Sequence, residues 1–347
     1  MPDDLTLITG AAGEIGHGLL KSLGTADPDR LLALDRSDLG PELRLCCREF
    51  LQGDVLDQAR LADLGNRYRI GTIYHLAAVL STSAEHNPRA AHRVNVEGTL
   101  NLLELAVDQA RRRGGPVTFV FPSSIAVYGF TSLAAKLAAR PVTEQAVCSP
   151  TTIYGASKLY CEHLGAYFSQ SPRHEPGEVA VDFRALRLPG LISAETLPTG
   201  GTSDYGPEML HHAAEGRPYR CFVRPDTRMP FLTMPDAVRA LTELAGAPSL
   251  GRQVYNVTGF SPSAEELQQI VIEFFPNADI DYEPDSRRQA IVDSWPGEVE
   301  DRAARDDWGW APEHGLRAAF EEYLIPAVSR RYAAAAEPDA DPRAHGP

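Results

Sequence analysis

Short, β-rich apolar runs recur along the first half of the chain, at 5–9, 31–34, 72–76, 117–121 and 181–186, and longer segments with helical periodicity separate them. A further strand is expected just ahead of Gly53. Strands that alternate with helices assemble into a parallel sheet covered on both faces. The pattern therefore predicts an α/β fold, a doubly wound parallel sheet. The longest intervening stretch, 88–113, sets Val94, Leu100, Leu103 and Val107 near helical spacing and opens on Pro88, a residue suited to a first turn. It predicts one long helix against the sheet.

After Leu188 the texture changes to Pro, Gly, Ser and Thr as far as Asp204. Beyond it, 235–244 and 253–257 predict one more helix and strand, and 263–274, 287–293 and 316–330 predict helices. The domain reading is a first domain over 1–188, to which 231–258 returns, and a smaller, mainly C-terminal lobe from 189–230 and 259–331. The tail 332–347, rich in Ala, Pro and Asp, is expected to be disordered because it has little to bury.

Composition narrows the function. The chain has 347 residues, which at roughly 150 per domain is consistent with two domains. With 33 basic and 47 acidic residues its formal net charge is −14, the wrong sign for broad contact with phosphate backbones, so nucleic acid is not an expected partner. Five cysteines without C-x-x-C spacing argue against a disulfide framework and a structural zinc site. No run approaches the length of a membrane helix, and a strand is expected close to Met1, so neither a membrane nor a leader segment is predicted. The expected location is the cytoplasm.

Gly10-Ala11-Ala12-Gly13-Glu14-Ile15-Gly16 follows the first strand and opens a helix, the place where glycines let backbone approach a pyrophosphate at a helix N-terminus. Asp35 ends the second strand, where a carboxylate accepts from both ribose hydroxyls of an adenosine and repels a 2′-phosphate; it favours NAD over NADP, with Arg36 beside it as the one opposing feature. Asp54 and Val55 after the third strand are placed near the adenine. Leu76, Ala77 and Ala78 end the fourth strand with side chains small enough for a flat ligand to pass. His75 has no metal partners in sequence and is read as structural, and no metal is expected.

Tyr154 and Lys158 stand four residues apart, on one face of a helix, so an ammonium can stabilise a phenolate. A free tyrosine ionises near pH 10, and a neighbouring cation lowers that cost. Alone, such a pair is ordinary on helices. Ser124, at the end of the fifth strand, supplies a hydroxyl for the oxygen that Tyr154 deprotonates, with Ser123 as its supporting neighbour beside the substrate.

Taken together, the G-x-x-G-x-x-G loop, the Ser ahead of Tyr154-x-x-x-Lys158 and the C-terminal lobe resemble the extended branch of the short-chain dehydrogenase/reductase superfamily, over nearly the whole chain to about Arg330. The resemblance implies a Rossmann fold, bound NAD, and Ser124, Tyr154 and Lys158 as catalytic residues. It places Asn95 at the family's helix asparagine and Leu188 and Pro189 beside the nicotinamide. Helices over 88–113 and 151–168 form a dimer surface in that superfamily, so the resemblance implies a homodimer.

Later blocks, among them Pro150-Thr151-Thr152-Ile153, Gly200-Gly201-Thr202-Ser203-Asp204-Tyr205, Arg288-Gln289-Ala290-Ile291-Val292-Asp293-Ser294-Trp295-Pro296 and Asp307-Trp308-Gly309-Trp310, are similar to the short-chain type of L-threonine 3-dehydrogenase. That similarity implies oxidation of the threonine 3-hydroxyl by NAD to 2-amino-3-oxobutanoate. It implies Ser81, Gly201 and Thr202 as substrate contacts and Trp295 as a lid or wall. Arg228 suits a substrate carboxylate on charge grounds and equally suits a brace between the lobes. Ser203 and the Thr-Ser-Ala that follows Ser81 depart from the pattern near the pocket, which leaves a related β-hydroxy-α-amino acid open as the substrate. Two other readings compete: a nucleotide-sugar epimerase or dehydratase with the same fold and triad, and a non-catalytic NAD-sensing regulator. The regulator fits poorly with an intact Ser, Tyr and Lys.

Three further features carry less. Arg111-Arg112-Arg113 complements a helix C-terminus. Cys46-Cys47 are too close for an unstrained disulfide. His211-His212 point to different faces of a helix and do not share a metal.

Overall fold

Six strands lead the chain: β1 (Leu5–Thr9), β2 (Leu31–Asp35), β3 (Glu49–Gln52), β4 (Ile70–His75), β5 (Val117–Ser124) and β6 (Val181–Leu188). Five shorter ones follow: β7 (Gly190–Ile192), β8 (Tyr219–Cys221), β9 (Phe231–Thr233), β10 (Val254–Asn256) and β11 (Ile280–Tyr282). The structure is a computed structural model and describes residues 4–170, 181–198 and 200–336. Seven strands make one parallel sheet in the order β10-β6-β5-β4-β1-β2-β3. This is the Rossmann-type arrangement. The central strands read as continuous apolar runs because helices cover both faces, and Leu7, Ile8, Leu32, Ala33, Ile73, Phe119 and Val120 are buried.

Chain order reverses between β1 and β4, which opens a crevice at their C-terminal ends. His75 stitches that point. Its Nδ1 lies 2.8 Å from the Thr9 hydroxyl and its Nε2 lies 3.0 Å from that of Thr99, while its ring packs near Phe119 and Phe121. Both ring nitrogens are committed to structure.

The segment 88–113 is a helical run with a fault in it. Pro88–His92 is α-helical, Arg93–Glu97 widens into a π turn, and Gly98–Arg113 resumes the α-helix. Periodicity over the whole segment averages out one extra residue, so the turn is invisible to it. The left-handed Gly114 ends the helix, and its last-turn arginines hold local partners: Arg112 donates to the Gly65 carbonyl and Arg113 pairs with Asp4 at 2.6 Å.

Beyond β6 the chain builds a lobe around two-stranded pairs, β7 with β9 and β8 with β11, and the helices Tyr205–Glu215, Ala264–Phe274 and Ser286–Ser294. Its core gathers Tyr205, Phe222, Phe231, Val292 and Phe320. His211 and His212 take separate partners, Tyr332 and the Ser193 carbonyl for the first, the Pro218 carbonyl for the second. The disordered reading of 332–347 needs correction at its start. Helix Ile325–Ala336 runs through it, held in part by the 2.9 Å contact of the Tyr332 hydroxyl with His211. Residues 337–347 lie outside the described residues.

Burial pushes the His75 imidazole down to about 3. Between that value and the ordinary 6.5 the unfolded chain binds a proton that the folded chain refuses, so stability falls as pH drops below 6.5. The expected contribution is a loss of about 2 kcal/mol at pH 5 relative to pH 8. Urea unfolding of the wild type and of His75→Gln at both pH values measures it, and the variant should show the shallower dependence by that amount.

Candidate active site

The glycine loop folds tightly against the strand end beside it. Gly10 has φ +69°, and a Cβ there would sit 2.5 Å from the Ala77 nitrogen and 2.8 Å from its Cα. Only glycine fits that backbone and that gap. The loop then turns into the helix Glu14–Ala26, whose N-cap, Gly13, supplies no side-chain hydrogen bond to the first-turn N–H groups. Those donors face a cleft of about 530 Å³ whose walls include Gly10, Gly13, Glu14, Ile15 and Gly16.

Asp35 stands at the far rim, fixed by two backbone donors: Ala12 to Oδ2 at 3.0 Å and Ser37 to Oδ1 at 2.8 Å. Arg36, largely exposed, turns toward Asp54 at 3.7 Å. Asp54, Val55, Leu76, Ala77, Ala78, Leu188 and Pro189 line the same cleft. Glu14 accepts a hydrogen bond from Thr196 at 3.1 Å, tying the loop's helix to the chain after β7. The left-handed Gly10, the helix N-terminus at the cleft and the rim carboxylate fit a dinucleotide with an unphosphorylated ribose.

Across the cleft, Tyr154 and Lys158 project from the helix Ile153–Ser169 beside Ser124 at the end of β5, and all three line it. Thr152 caps that helix by accepting from Gly155 N at 3.0 Å, and Glu85 accepts from Ile153 N at 2.7 Å. Lys158 is buried; its Nζ donates to the Pro122 carbonyl at 2.6 Å and lies 4.4 Å from the Phe121 ring centroid and 5.7 Å from that of Tyr154. Burial pushes this ammonium down to about 8 and the Tyr154 phenol up to about 12, with a polar contact from Ser124 working the other way on the phenol. Spacing alone pointed to a phenol made acidic by its neighbour. In the folded protein, desolvation outweighs that attraction, because the ammonium is directed at a carbonyl.

Several side chains sit where their roles differ from the expected ones. Ser123 lines the cleft with Ser124, but its hydroxyl donates to Glu162 at 2.5 Å; Glu162 in turn forms a two-point pair with Arg187 at 2.9 and 2.7 Å, both residues buried. Asn95 is not part of the cleft wall: its amide grips Val79, accepting from the nitrogen at 2.7 Å and donating to the carbonyl at 3.0 Å. It props the strand-end loop that the cofactor passes. Arg228 joins neither a substrate pocket nor the two lobes: it donates to the Ser261 carbonyl and pairs with Glu266 at 2.9 Å, so it ties two pieces of the second lobe to each other. It is absent from the large cleft.

Contacts between the lobes close one side of the cleft. The Ser81 and Thr202 hydroxyls lie 3.0 Å apart, and Thr202 N also donates to Ser81. Ser81 and Gly201 line the cleft, while Thr202 is buried behind them. Gly201 N donates to Asp204 at 2.6 Å, and its carbonyl accepts from Arg288 at 2.8 Å. Trp295 forms a wall, only 4% exposed, and its indole N–H has no hydrogen-bond partner.

Sequence reasoning gave no role to Glu162, Arg187, Asp204 or Arg288. A signal existed for one pair: Arg187 interrupts the apolar run of β6, and Glu162 falls one turn beyond Lys158 on the same helix face.

This geometry, a glycine loop at the switch point with a Tyr-x-x-x-Lys helix opposite, defines a nicotinamide-dependent α/β protein. The model of the NAD dependent epimerase/dehydratase family matches residues 6–258, and the chain belongs to that family, with NAD as its cofactor. A Bos taurus protein, "L-threonine 3-dehydrogenase, mitochondrial", is 36% identical over 312 residues, 89% of this chain and 79% of that protein. Among solved structures, a GalE-like L-threonine dehydrogenase from Cupriavidus necator in holo form is 34% identical with a TM-score of 0.81, covering 94% of this chain and 99% of that one. A monomeric L-threonine 3-dehydrogenase from a metagenome, in apo form, is 35% identical with a TM-score of 0.82, covering 93% and 99%.

The mitochondrial relative overturns the cytoplasmic expectation. That expectation rested on a strand expected close to Met1 and on hydropathy, and hydropathy speaks only to membrane crossing: among the described residues no helix is long and apolar enough to span a membrane.

Gly10→Ala places a methyl group against the Ala77 backbone at a φ that alanine rarely adopts. NAD affinity, followed by calorimetric titration, should fall at least about tenfold with the far-ultraviolet spectrum unchanged.

Proposed function

We propose that this protein oxidises the 3-hydroxyl of L-threonine to 2-amino-3-oxobutanoate, with Tyr154 as the base and Lys158 and Ser124 as its catalytic partners. The observation that carries the reading is the meeting of those three side chains with the glycine loop, Asp35 and Trp295 around one cleft. The identity to proteins named L-threonine dehydrogenases supports the choice of substrate. When bound, NAD supplies the acceptor for the hydride that leaves C3.

The chain's own part is positioning and proton transfer. Tyr154 would act as the phenolate, its ionisation favoured over the unliganded value by the Lys158 ammonium and the positively charged ring of bound NAD; its oxygen then takes the hydroxyl proton as the C3–H bond breaks, and Ser124 donates a hydrogen bond to the same substrate oxygen. Lys158 retains ammonium donors beyond the one given to Pro122, so it can also hold a ribose hydroxyl. At the other end of the substrate, the unpartnered Trp295 N–H suits the carboxylate, and the Ser81, Gly201 and Thr202 cluster supplies further polar atoms. The product is a β-keto acid, which loses carbon dioxide by itself.

The decisive assay follows NADH with L-threonine, L-allo-threonine and L-serine, and separately follows conversion of UDP-glucose to its 4-epimer by chromatography, because epimerisation is redox-neutral and releases no NADH. NADH from L-threonine and no epimer from the sugar nucleotide is expected; epimer formation without NADH from L-threonine would establish the epimerase reading instead. Tyr154→Phe should keep NAD affinity within about twofold and lower kcat by at least about 10²-fold.

We also propose the two-lobe division given by 1–188 with 231–258 against 189–230 with 259–331, and a homodimer through the helices over 88–113 and 151–168. Tyr160 and Tyr167, both about half exposed on helix Ile153–Ser169, support that surface. Sedimentation equilibrium should return twice the 37.8 kDa chain mass; the chain mass itself would match the monomeric metagenome relative and end the dimer proposal.

A further inference from the structure

The chain between the catalytic Ser124 and Tyr154 does more than connect them: it clasps the segment that carries Trp295. Phe130 N donates to the Ser294 carbonyl at 2.9 Å, and the Thr151 and Ser294 hydroxyls lie 2.6 Å apart. Val142 N donates to the Glu298 carbonyl at 3.0 Å, and its own carbonyl accepts from Glu300 at 2.9 Å. In the middle of the clasp the short helix Leu133–Ala138 sends Lys136 inward, 6% exposed, and its Nζ donates to the Val292 carbonyl at 2.9 Å. That carbonyl also accepts from Trp295 N at 3.1 Å.

One oxygen atom therefore joins the Lys136 ammonium to the backbone of Trp295. It belongs to the last turn of the helix Ser286–Ser294, where exposed carbonyls concentrate negative partial charge and favour a cation. We propose that Lys136 is a positioning residue for the amino-acid substrate: its ammonium fixes the Val292 carbonyl and thereby sets the Trp295 indole in the wall of the cleft.

Burying a lysine for packing alone is unfavourable, since an unbranched apolar side chain fills the same space without desolvating a charge. The surroundings do not neutralise it outright. Arg224 already holds Asp293 at two points, both 3.0 Å, while Asp226, Glu298, Arg140 and Arg228 line the small cavity beside the ammonium. Burial is the largest influence on Lys136 and pushes it down to about 8, with Asp293 and Asp226 raising it and Arg224 lowering it. The charge on this link is consequently titratable near the working range.

This inference rests on the threonine reading for its substrate and on the coordinates for its mechanism, and the experiment separates the two. Lys136→Met and Lys136→Arg are compared with the wild type for the KM and kcat of L-threonine, for NAD affinity, and for hydrogen exchange of peptides covering 292–300. Lys136→Met should raise the KM for L-threonine at least about tenfold with kcat and NAD affinity within about threefold, and exchange in 292–300 should quicken. Lys136→Arg should recover most of that KM, because guanidinium keeps a charged donor. The ratio of the Lys136→Met KM to the wild-type KM should shrink as pH rises through about 8, where the wild type loses its own ammonium. Lys158 titrates in the same window but is shared by both proteins, so it cancels in the ratio. An unchanged KM with unchanged exchange overturns the inference, as does an equal loss of NAD affinity, which would mark general destabilisation. If the wild type makes no NADH from L-threonine, the proposed function fails, and exchange in 292–300 still decides the role of Lys136.

Discussion

A lysine ammonium held out of water, pinned to the Pro122 carbonyl and resting over the Phe121 ring, is the constraint on which this site depends. It requires the helix Ile153–Ser169 to lie very close to the end of β5. Gly155 makes that approach possible, because a Cβ there would stand 2.0 Å from the Ala126 carbonyl oxygen. Farther along the same helix, Glu162 reaches back to Ser123 and on to Arg187, so the helix is bonded to both β5 and β6. Breaking a buried pair of this kind leaves one charge uncompensated, which makes the docking nearly all-or-none. The Lys158 ammonium is thus shielded by its scaffold, while Tyr154 beside it faces the cleft.

The second lobe is joined to the sheet through a few bonds beside the cleft. Ser81 meets Thr202, Glu14 meets Thr196, and Lys21 meets Glu195 at 3.1 Å, so elements that begin at the ends of β1 and β4 are tied to the chain that follows β7. Helix Ser286–Ser294 shapes the cleft from outside: Arg288 near its start holds the Gly201 carbonyl, and Trp295 follows its end. A shift of that single helix would move two walls of the cleft together.

Much of this was legible in the sequence where the cause is local. Strand β1 begins and ends where its apolar run does, the glycine loop lies where a strand meets a helix, and Tyr154 and Lys158 share a face because four residues make little more than one helical turn. What stayed hidden depends on partners far away in the chain. Ser123 was read as support for its neighbour, yet its partner is a glutamate 39 residues on. Arg228 had two readings of equal merit, and its partners Ser261 and Glu266, both in its own lobe, match neither. The spacing of Tyr154 and Lys158 reported attraction but could not report desolvation, which depends on everything packed around them. Cellular location left no trace in the hydropathy at all.

The π turn at Arg93–Glu97 sets a rule about length. It adds one residue to the winding, and it is there that Asn95 meets Val79 with its side chain and Thr99 and Cys161 with its carbonyl. Removing a residue between 93 and 97 would restore ordinary pitch and swing the preceding turn about 100° around the axis, carrying the asparagine off its loop. Evolution can exchange side chains along this stretch far more freely than it can insert or delete one, so its phase is a fixed dimension of the cofactor cleft.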